Sequence, residues 1–167
     1  MQMTDFIAAD VGIRQLHARF ADAVWRQDAE EFASCFTSEG LWKIAGMEIA
    51  GREKIGEACR NMLGRCSHIH IITGLPILEV GEGVARGRLN MTEFARMQDG
   101  STAMTIGWYH DDYIIENDRW CFKKRHWSMK YRGAPDMTGH FADTPNYGAF
   151  PDGPAADEAT YVRPPNA

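Results

Sequence analysis

The sequence predicts an α+β fold in which N-terminal helices cover one face of a curved antiparallel sheet. Apolar side chains recur at helical spacing in the first part of the chain. Four long strand-like runs then follow one another, separated by residues that are typical of hairpin turns. Helices gathered at one end of the chain and hairpins at the other indicate two packed layers. A strongly curved sheet of this kind forms a cone with a central cavity, where a ligand can bind.

Composition limits the classes of protein to which the chain can belong. Its 167 residues suffice for one domain with a core and are too few for two ordinary domains. The net charge is −5, and no basic stripe of the kind that nucleic acid needs is present. No apolar run has the length of a membrane span, and the first residues do not resemble a signal peptide. We therefore expect a cytoplasmic protein with neither a nucleic-acid nor a membrane partner.

Three helices are predicted before the long strands. Thr4 and Asp5 can cap a first helix that runs to about Gln27. Its inward stripe is made of Ile13, Leu16, Phe20 and Val24. Asp28 begins a second, short helix, for which it is a suitable N-cap. A third helix extends from Gly51 to about Leu63.

A short strand pair, Leu41 to Ile49 with a break at Gly46, lies between the second and third helices. The long strands follow the third helix. They are predicted at Ser67 to Val80, Val84 to Met97, Thr102 to Ile115, and Arg119 to Tyr131. Glycines inside these runs predict bulges or bends. They are Gly74, Gly87 and Gly107.

The composition changes at Gly133, because prolines and glycines then exclude regular elements. We divide the chain into a domain at 1–132 and a Pro/Gly-rich C-terminal arm at 133–167. Aromatic residues in the arm leave two interpretations open, a disordered tail or a partly ordered arm on the body or on a neighbouring subunit. The four cysteines show neither metal-ligand nor redox spacing, so we expect free, mostly buried thiols.

Six short segments resemble a known family in their order and spacing. They are Gly40-Leu41-Trp42, Gly51-Arg52, Ser67-His68-Ile69-His70, Tyr109-His110-Asp111-Asp112-Tyr113, Trp120-Cys121-Phe122-Lys123-Lys124-Arg125 and Met129-Lys130-Tyr131. Over about residues 10 to 141 the chain resembles the SnoaL-like branch of the nuclear transport factor 2-like (NTF2-like) superfamily. It is most similar to the γ-hexachlorocyclohexane dehydrochlorinase and scytalone dehydratase group. The resemblance implies a small hydrophobic ligand, no metal or organic cofactor, and a homotrimer, with a dimer as the alternative.

In the lyases of this group, a strand histidine is the general base and a helix-1 aspartate orients it. An arginine and a tryptophan stabilise the developing anion or the leaving group. His70 matches the base, Arg125 the arginine and Trp42 the tryptophan, whereas Trp25 stands at the aspartate position. An indole cannot stabilise an imidazolium, so another acid is required if His70 is to gain a proton.

Glu93, in mid-strand with apolar neighbours, is the first choice for this acid. Asp22, Asp28 and Asp111 are the alternatives, each with an ordinary surface or structural role as its competing interpretation. The predicted catalytic residues are thus His70, Arg125 and Glu93. The predicted substrate-binding residues are Trp25, Trp42, His68 and Tyr109. The histidines have no clear third partner for a metal, so no metal site is predicted.

Three functions remain open from the sequence. The first is a cofactor-independent lyase of dehydratase, dehydrohalogenase or retro-aldol type, acting on an aromatic compound in a catabolic reaction. The second is a non-catalytic protein that binds hydrophobic ligands. The third is a subunit resembling the β-subunit of aromatic-ring dioxygenases. Trp25 favours the last two, whereas His70 and Arg125 favour the first.

Overall fold

A computed structural model describes residues 3–141, which form a mixed α+β structure. The helices are α1 (Met3–Arg26), α2 (Ala29–Ser34) and α3 (Arg52–Leu63). The strands are β1 (Phe36–Ile44), β2 (Met47–Ala50), β3 (Cys66–Thr73), β4 (Ile77–Val80), β5 (Val84–Met97), β6 (Thr102–Glu116), β7 (Arg119–Gly133) and β8 (His140–Phe141). The predicted α+β class is confirmed.

All eight described strands belong to one curved, unclosed sheet. Its main order is β2-β1-β7-β6-β5-β3, with β4 also paired to β5 and β8 to β7. The long strands pair antiparallel, as the hairpin turns predicted. β1 differs, because it lies parallel to β7. Hairpin turns predict pairing only between consecutive strands, so they could not predict this pair, which most of the domain separates in the sequence.

The helices pack against one face of the sheet, which we call the inner face. Side chains alternate along a strand, so each residue next to an inner-face residue points to the opposite side of the sheet, which we call the outer face. The inner-face core joins the predicted stripe of α1 to aromatic and aliphatic side chains of the sheet. Its members include Ile13, Leu16, Phe20, Phe32, Ile55, Ile69, Ile71, Leu89, Met91, Tyr109, Tyr113, Phe122 and Met129.

One predicted strand is divided. The run from Ser67 to Val80 forms β3 and β4, with an irregular segment between them. Pro76 lies in this segment, and a proline has no N–H with which to continue a strand ladder. Both pieces still pair with β5. A register shift between Ile106 and Gly107 confirms the irregularity predicted at the glycine of β6.

The N-cap predicted for the second helix is confirmed, whereas Thr4 and Asp5 lie within α1, which already includes Met3. The Glu31 N–H donates to the Asp28 carboxylate over 2.9 Å, so Asp28 caps α2. The described part of the C-terminal arm includes β8, which pairs with β7 through Phe141 and Tyr131. The rest of the predicted arm, 142–167, lies outside the described residues. None of the helices found in residues 3–141 is long and apolar enough to cross a membrane.

Candidate active site on the inner face

Four polar side chains form a closed ring of hydrogen bonds inside the core. Arg125 donates to Asp111 through Nε at 2.9 Å and through Nη2 at 2.8 Å. Arg125 Nη2 also lies 3.1 Å from Nδ1 of His17. Nε2 of His17 lies 2.9 Å from the Tyr113 hydroxyl, which donates to Asp111 over 3.1 Å. The ring thus links α1, β6 and β7.

The chemistry of the partners fixes every proton in this ring. A guanidinium only donates and a carboxylate only accepts. His17 Nδ1 must therefore accept from Arg125, which leaves the proton of the neutral imidazole on Nε2. That N–H donates to Tyr113, and the Tyr113 O–H donates to Asp111. Burial, reinforced by the charge of Arg125, holds the pKa of His17 well below 6.5, so the imidazole of His17 is uncharged.

Aromatic rings surround the guanidinium of Arg125. Its central carbon lies 3.7 Å from the ring centre of Tyr109, 3.9 Å from that of Phe122 and 4.3 Å from that of Phe20. The Arg125 side chain is fully buried. A buried charge needs a partner, and Asp111 provides it in bidentate geometry. The pair carries no net charge, although Arg125 keeps its donors.

Two buried N–H groups near this ring have no acceptor. Arg125 Nη1 and Trp42 Nε1 are both buried and lack a hydrogen-bond partner in residues 3–141. Trp42 and Arg125 are register partners on β1 and β7. The Trp42 ring packs against Phe32 and Phe36, within the inner-face core. A buried donor without an acceptor costs free energy, so this pair is suited to an acceptor atom of a ligand.

Glu93 lies on the same inner face. Its register partners are Ile71 on β3 and Thr105 on β6, both buried. Burial raises the pKa of Glu93 from 4.5, and the positive charge of Arg132 opposes this shift. No hydrogen bond or ion pair to the Glu93 carboxylate is found in the described part of the chain. Such an acid is available for proton transfer.

His70 lies elsewhere. Its neighbours Ile69 and Ile71 face the core, so His70 faces outward and is exposed. His68 and His70 lie opposite Arg96 and Phe94 of β5, beside an open groove of about 300 Å³. The structure therefore does not bring His70 together with Arg125 and Trp42, the residues that the resemblance assigned to one site, because those two are buried in the core. A register shift between Cys66 and His68, which no sequence pattern revealed, lies at the start of this strand.

Trp25 and His70 do meet, as the family positions implied. The two ring centres are 5.0 Å apart and the ring planes nearly perpendicular, at 86°. β3 is an edge strand, so the end of α1 can reach it. Trp25 remains 58% exposed. Neither His68 nor His70 has a hydrogen bond or ion pair to an acid within residues 3–141.

The alternative acids have other partners. Asp22 pairs with Arg26 on the exposed side of α1. Asp28 caps α2, and Asp111 binds Arg125. Glu93 faces away from His70, because adjacent residues on β5 point to opposite faces and Phe94 is the register partner of His70. The roles that the resemblance gave to His70 and Arg125, and the role inferred for Glu93 from its position in the strand, stay predictions.

Sequence reasoning missed His17 and Tyr113. His17 is adjacent to Leu16 and three residues before Phe20, so it falls on the apolar stripe of α1. A polar residue on such a stripe is the signal that could have identified it. Within residues 3–141, no three His, Cys, Asp or Glu side chains are grouped so that they could hold a metal ion. All four cysteines are buried, and none of them forms a disulfide bond within residues 3–141.

Comparisons with solved structures support the fold. A variant of Rv3472, a protein of unknown function from Mycobacterium tuberculosis, has a TM-score of 0.67 and 25% identity, over 72% of this chain and 76% of that one. A proposed scytalone dehydratase from Novosphingobium aromaticivorans has a TM-score of 0.76 and 16% identity, over 88% of this chain and 100% of that one. Hexachlorocyclohexane dehydrochlorinase LinA-type3 from Novosphingobium barchaimii has a TM-score of 0.71 and 18% identity, over 79% of this chain and 93% of that one.

The sequence comparisons give the family. No curated protein sequence matches this chain. A family model for the SnoaL-like domain matches residues 6–126, which covers the helices and most of the sheet. That match includes the ring and Glu93. The chain therefore belongs to the SnoaL-like family.

Proposed function

We propose that this protein is a cofactor-independent lyase that binds a small, largely apolar molecule on the inner face of its sheet. Glu93 takes a proton from the substrate, while Trp42 and Arg125 donate hydrogen bonds to the atom that becomes negative. The observation that carries this proposal is the pair of buried donors, Trp42 Nε1 and Arg125 Nη1, without an acceptor in residues 3–141. Donors placed where charge develops stabilise a transition state strongly.

Electrostatics favour an uncharged substrate. Asp111 neutralises Arg125, so the two free donors carry no unbalanced positive charge. The site therefore has little attraction for a resident anion and suits an oxygen or halogen atom that gains charge during the reaction. Dehydration, dehydrohalogenation and retro-aldol cleavage all produce such an atom. The aromatic side chains around Arg125 favour an aromatic substrate.

Proton removal is assigned to Glu93 because it shares the inner face with Trp42 and Arg125, whereas His70 does not. Burial raises the pKa of Glu93, which makes its carboxylate a stronger base. In dehydration and dehydrohalogenation, Glu93 removes a proton from carbon, and hydroxide or halide departs with the electrons of its bond to carbon. In retro-aldol cleavage, Glu93 removes the proton of the hydroxyl group, the C–O bond becomes a carbonyl, and the electrons of the broken C–C bond form an enolate. The electrons of the broken C–H bond form the new double bond in the elimination reactions.

Trp42→Phe tests the donor role directly. The variant keeps an aromatic ring in the core and removes the indole N–H, so we expect kcat to fall about 10²- to 10³-fold on any active substrate, in keeping with the loss of one transition-state donor. The assay is a screen of aromatic alcohols, halides and aldols for product by mass spectrometry. Trp25→Phe, a matched change at an exposed indole, is expected to leave kcat unchanged. Equal effects of the two changes would contradict the proposal.

Non-catalytic binding of a hydrophobic ligand is the second candidate. Trp25 at the family's aspartate position favours it, as does the absence of an acid bound to His70 within residues 3–141, because the family's own acid–base pair is then missing from the described part of the chain. The same screen separates the candidates. Saturable binding that Trp42→Phe weakens, without product from any compound, would support the binder over the lyase.

Assembly as a homotrimer is proposed from the family resemblance, with a dimer as the alternative. The outer face near the β3 edge exposes apolar side chains, including Ile72 and Phe94, that a second copy could cover. Light scattering of the full chain at micromolar concentration is expected to give the mass of three subunits. A stable monomer would exclude both assemblies.

A further inference from the structure

The ring of buried hydrogen bonds contains His17, which neither the family roles nor the proposed reaction uses. It is 3% exposed and lies on α1, whereas its partners lie on β6 and β7. Both ring nitrogens are engaged, Nδ1 by Arg125 and Nε2 by Tyr113. An imidazole with both nitrogens occupied cannot take a proton from a substrate without breaking the ring. Its function must therefore be carried out through a partner.

That partner is Arg125. Asp111 occupies one edge of its guanidinium and accepts from Nε and Nη2. The second proton of Nη2 goes to His17 Nδ1. Together these contacts leave Nη1 as the donor group without an acceptor in residues 3–141. A planar guanidinium held at three of its N–H bonds cannot rotate, so the direction of Nη1 is set.

We infer that His17 is a positioning residue, whose neutral Nδ1 accepts from Arg125 and thereby holds Nη1 toward the ligand. This inference rests on the proposed function for the identity of the ligand atom, but not for the ring itself. The orientation of the Arg125 guanidinium is thus fixed by a residue of the helix layer, His17, as well as by Asp111 of the sheet. A helix-1 side chain serves the site here through an arginine rather than through a strand histidine.

The charge state of His17 is part of this arrangement. A proton on Nδ1 would point an N–H at the guanidinium and remove the acceptor. The charged and titratable groups that contact the imidazole are Arg125 on β7 and Asp111 and Tyr113 on β6. Burial and Arg125 both lower the His17 pKa, so the neutral form persists well below pH 6.5.

Two substitutions separate the two nitrogens. In His17→Asn the amide oxygen can occupy the place of Nδ1 and accept from Arg125. In His17→Gln the amide group reaches the place of Nε2 and contacts only Tyr113. We expect His17→Asn to keep kcat within about 5-fold of the wild type and His17→Gln to lower it at least about 10-fold, although both lose similar thermal stability. Equal losses of kcat in the two variants would show that His17 only supports the fold, and would overturn the inference.

A spectroscopic test does not depend on finding a substrate. Nitrogen-15 NMR of the full chain is expected to show His17 as the Nε2–H tautomer from pH 8 to pH 6. Slowly exchanging guanidinium protons of Arg125 should persist in His17→Asn and be lost in His17→Gln. An Nδ1–H tautomer, or loss of those protons in both variants, would refute the positioning role. If the NMR results hold and no compound is turned over, the proposed reaction fails while the assignment of His17 stands.

The pH dependence of unfolding gives a second readout. The unfolded chain takes up a proton on His17 below about pH 6.5, whereas the folded chain does not until its lowered pKa is reached. Wild-type stability should therefore fall as pH decreases through this window. This pH-dependent part of the stability should be absent from both His17→Asn and His17→Gln, which have no imidazole at this position. The difference between the wild-type and variant melting temperatures should therefore shrink from pH 7 to pH 5. An unchanged difference would contradict the neutral, buried imidazole.

Discussion

Asp111→Ala is expected to lower the free energy of unfolding by about 3–5 kcal/mol. The substitution removes both acceptors of the bidentate contact and leaves the fully buried Arg125 without its counter-charge. It also removes the acceptor of Tyr113. Urea unfolding followed by circular dichroism measures the loss.

Two control variants test whether the loss of stability comes from leaving a buried charge unpaired. Asp22→Ala removes an aspartate–arginine pair on the exposed surface of α1, at a similar distance of 2.8 Å, and should cost no more than about 1 kcal/mol. The double variant Asp111→Leu with Arg125→Met removes both charges and fills the space with apolar atoms, so most of the lost stability should return. An Asp111→Ala protein as stable as Asp22→Ala would show that Arg125 finds water or another partner.

Glu93→Gln is expected to lower kcat by about 10²- to 10⁴-fold on any substrate that the screen identifies. The amide has nearly the same shape as the carboxyl group but cannot accept a proton at useful pH. A loss of stability cannot explain this result. Because burial raises the pKa of Glu93, the ionised form is disfavoured in the fold, and the neutral amide should leave stability unchanged or increase it.

The pH dependence of Glu93 has the opposite sign to that of His17. A raised carboxyl pKa means that the folded chain holds its proton longer, so the stability associated with Glu93 falls as pH rises through that pKa. Activity should rise over the same range, since the base must be ionised. In Glu93→Gln both pH effects should disappear.

Two further variants serve as controls for the base assignment. Glu79→Gln changes an exposed acid on β4 that pairs with Arg86, and should leave kcat unaltered. His70→Ala tests the base that the family resemblance predicted, and from its outward position we expect a change of less than about 3-fold. A large loss of kcat in His70→Ala, together with normal turnover in Glu93→Gln, would show that His70 on β3 is the base and Glu93 is not.

The sequence by itself determined the local structure of this protein. The apolar stripe of α1, the cap at Asp28 and the hairpin turns between the long strands depend on interactions between residues close together in the chain. Their spacing therefore predicted an α+β fold with helices against a curved antiparallel sheet. The six motif segments added the family, which the match over residues 6–126 bears out.

Only the tertiary structure decided which residues meet. Strand alternation divides a strand into two faces but does not say which one the helices cover, and on β3 the outer face holds His70. The ring joins residues up to 108 positions apart, His17 and Arg125, which no local pattern relates. A buried guanidinium selects its partners by charge and hydrogen-bond geometry in the assembled core. For that reason Asp111 and His17 acquired their roles only when α1, β6 and β7 came together.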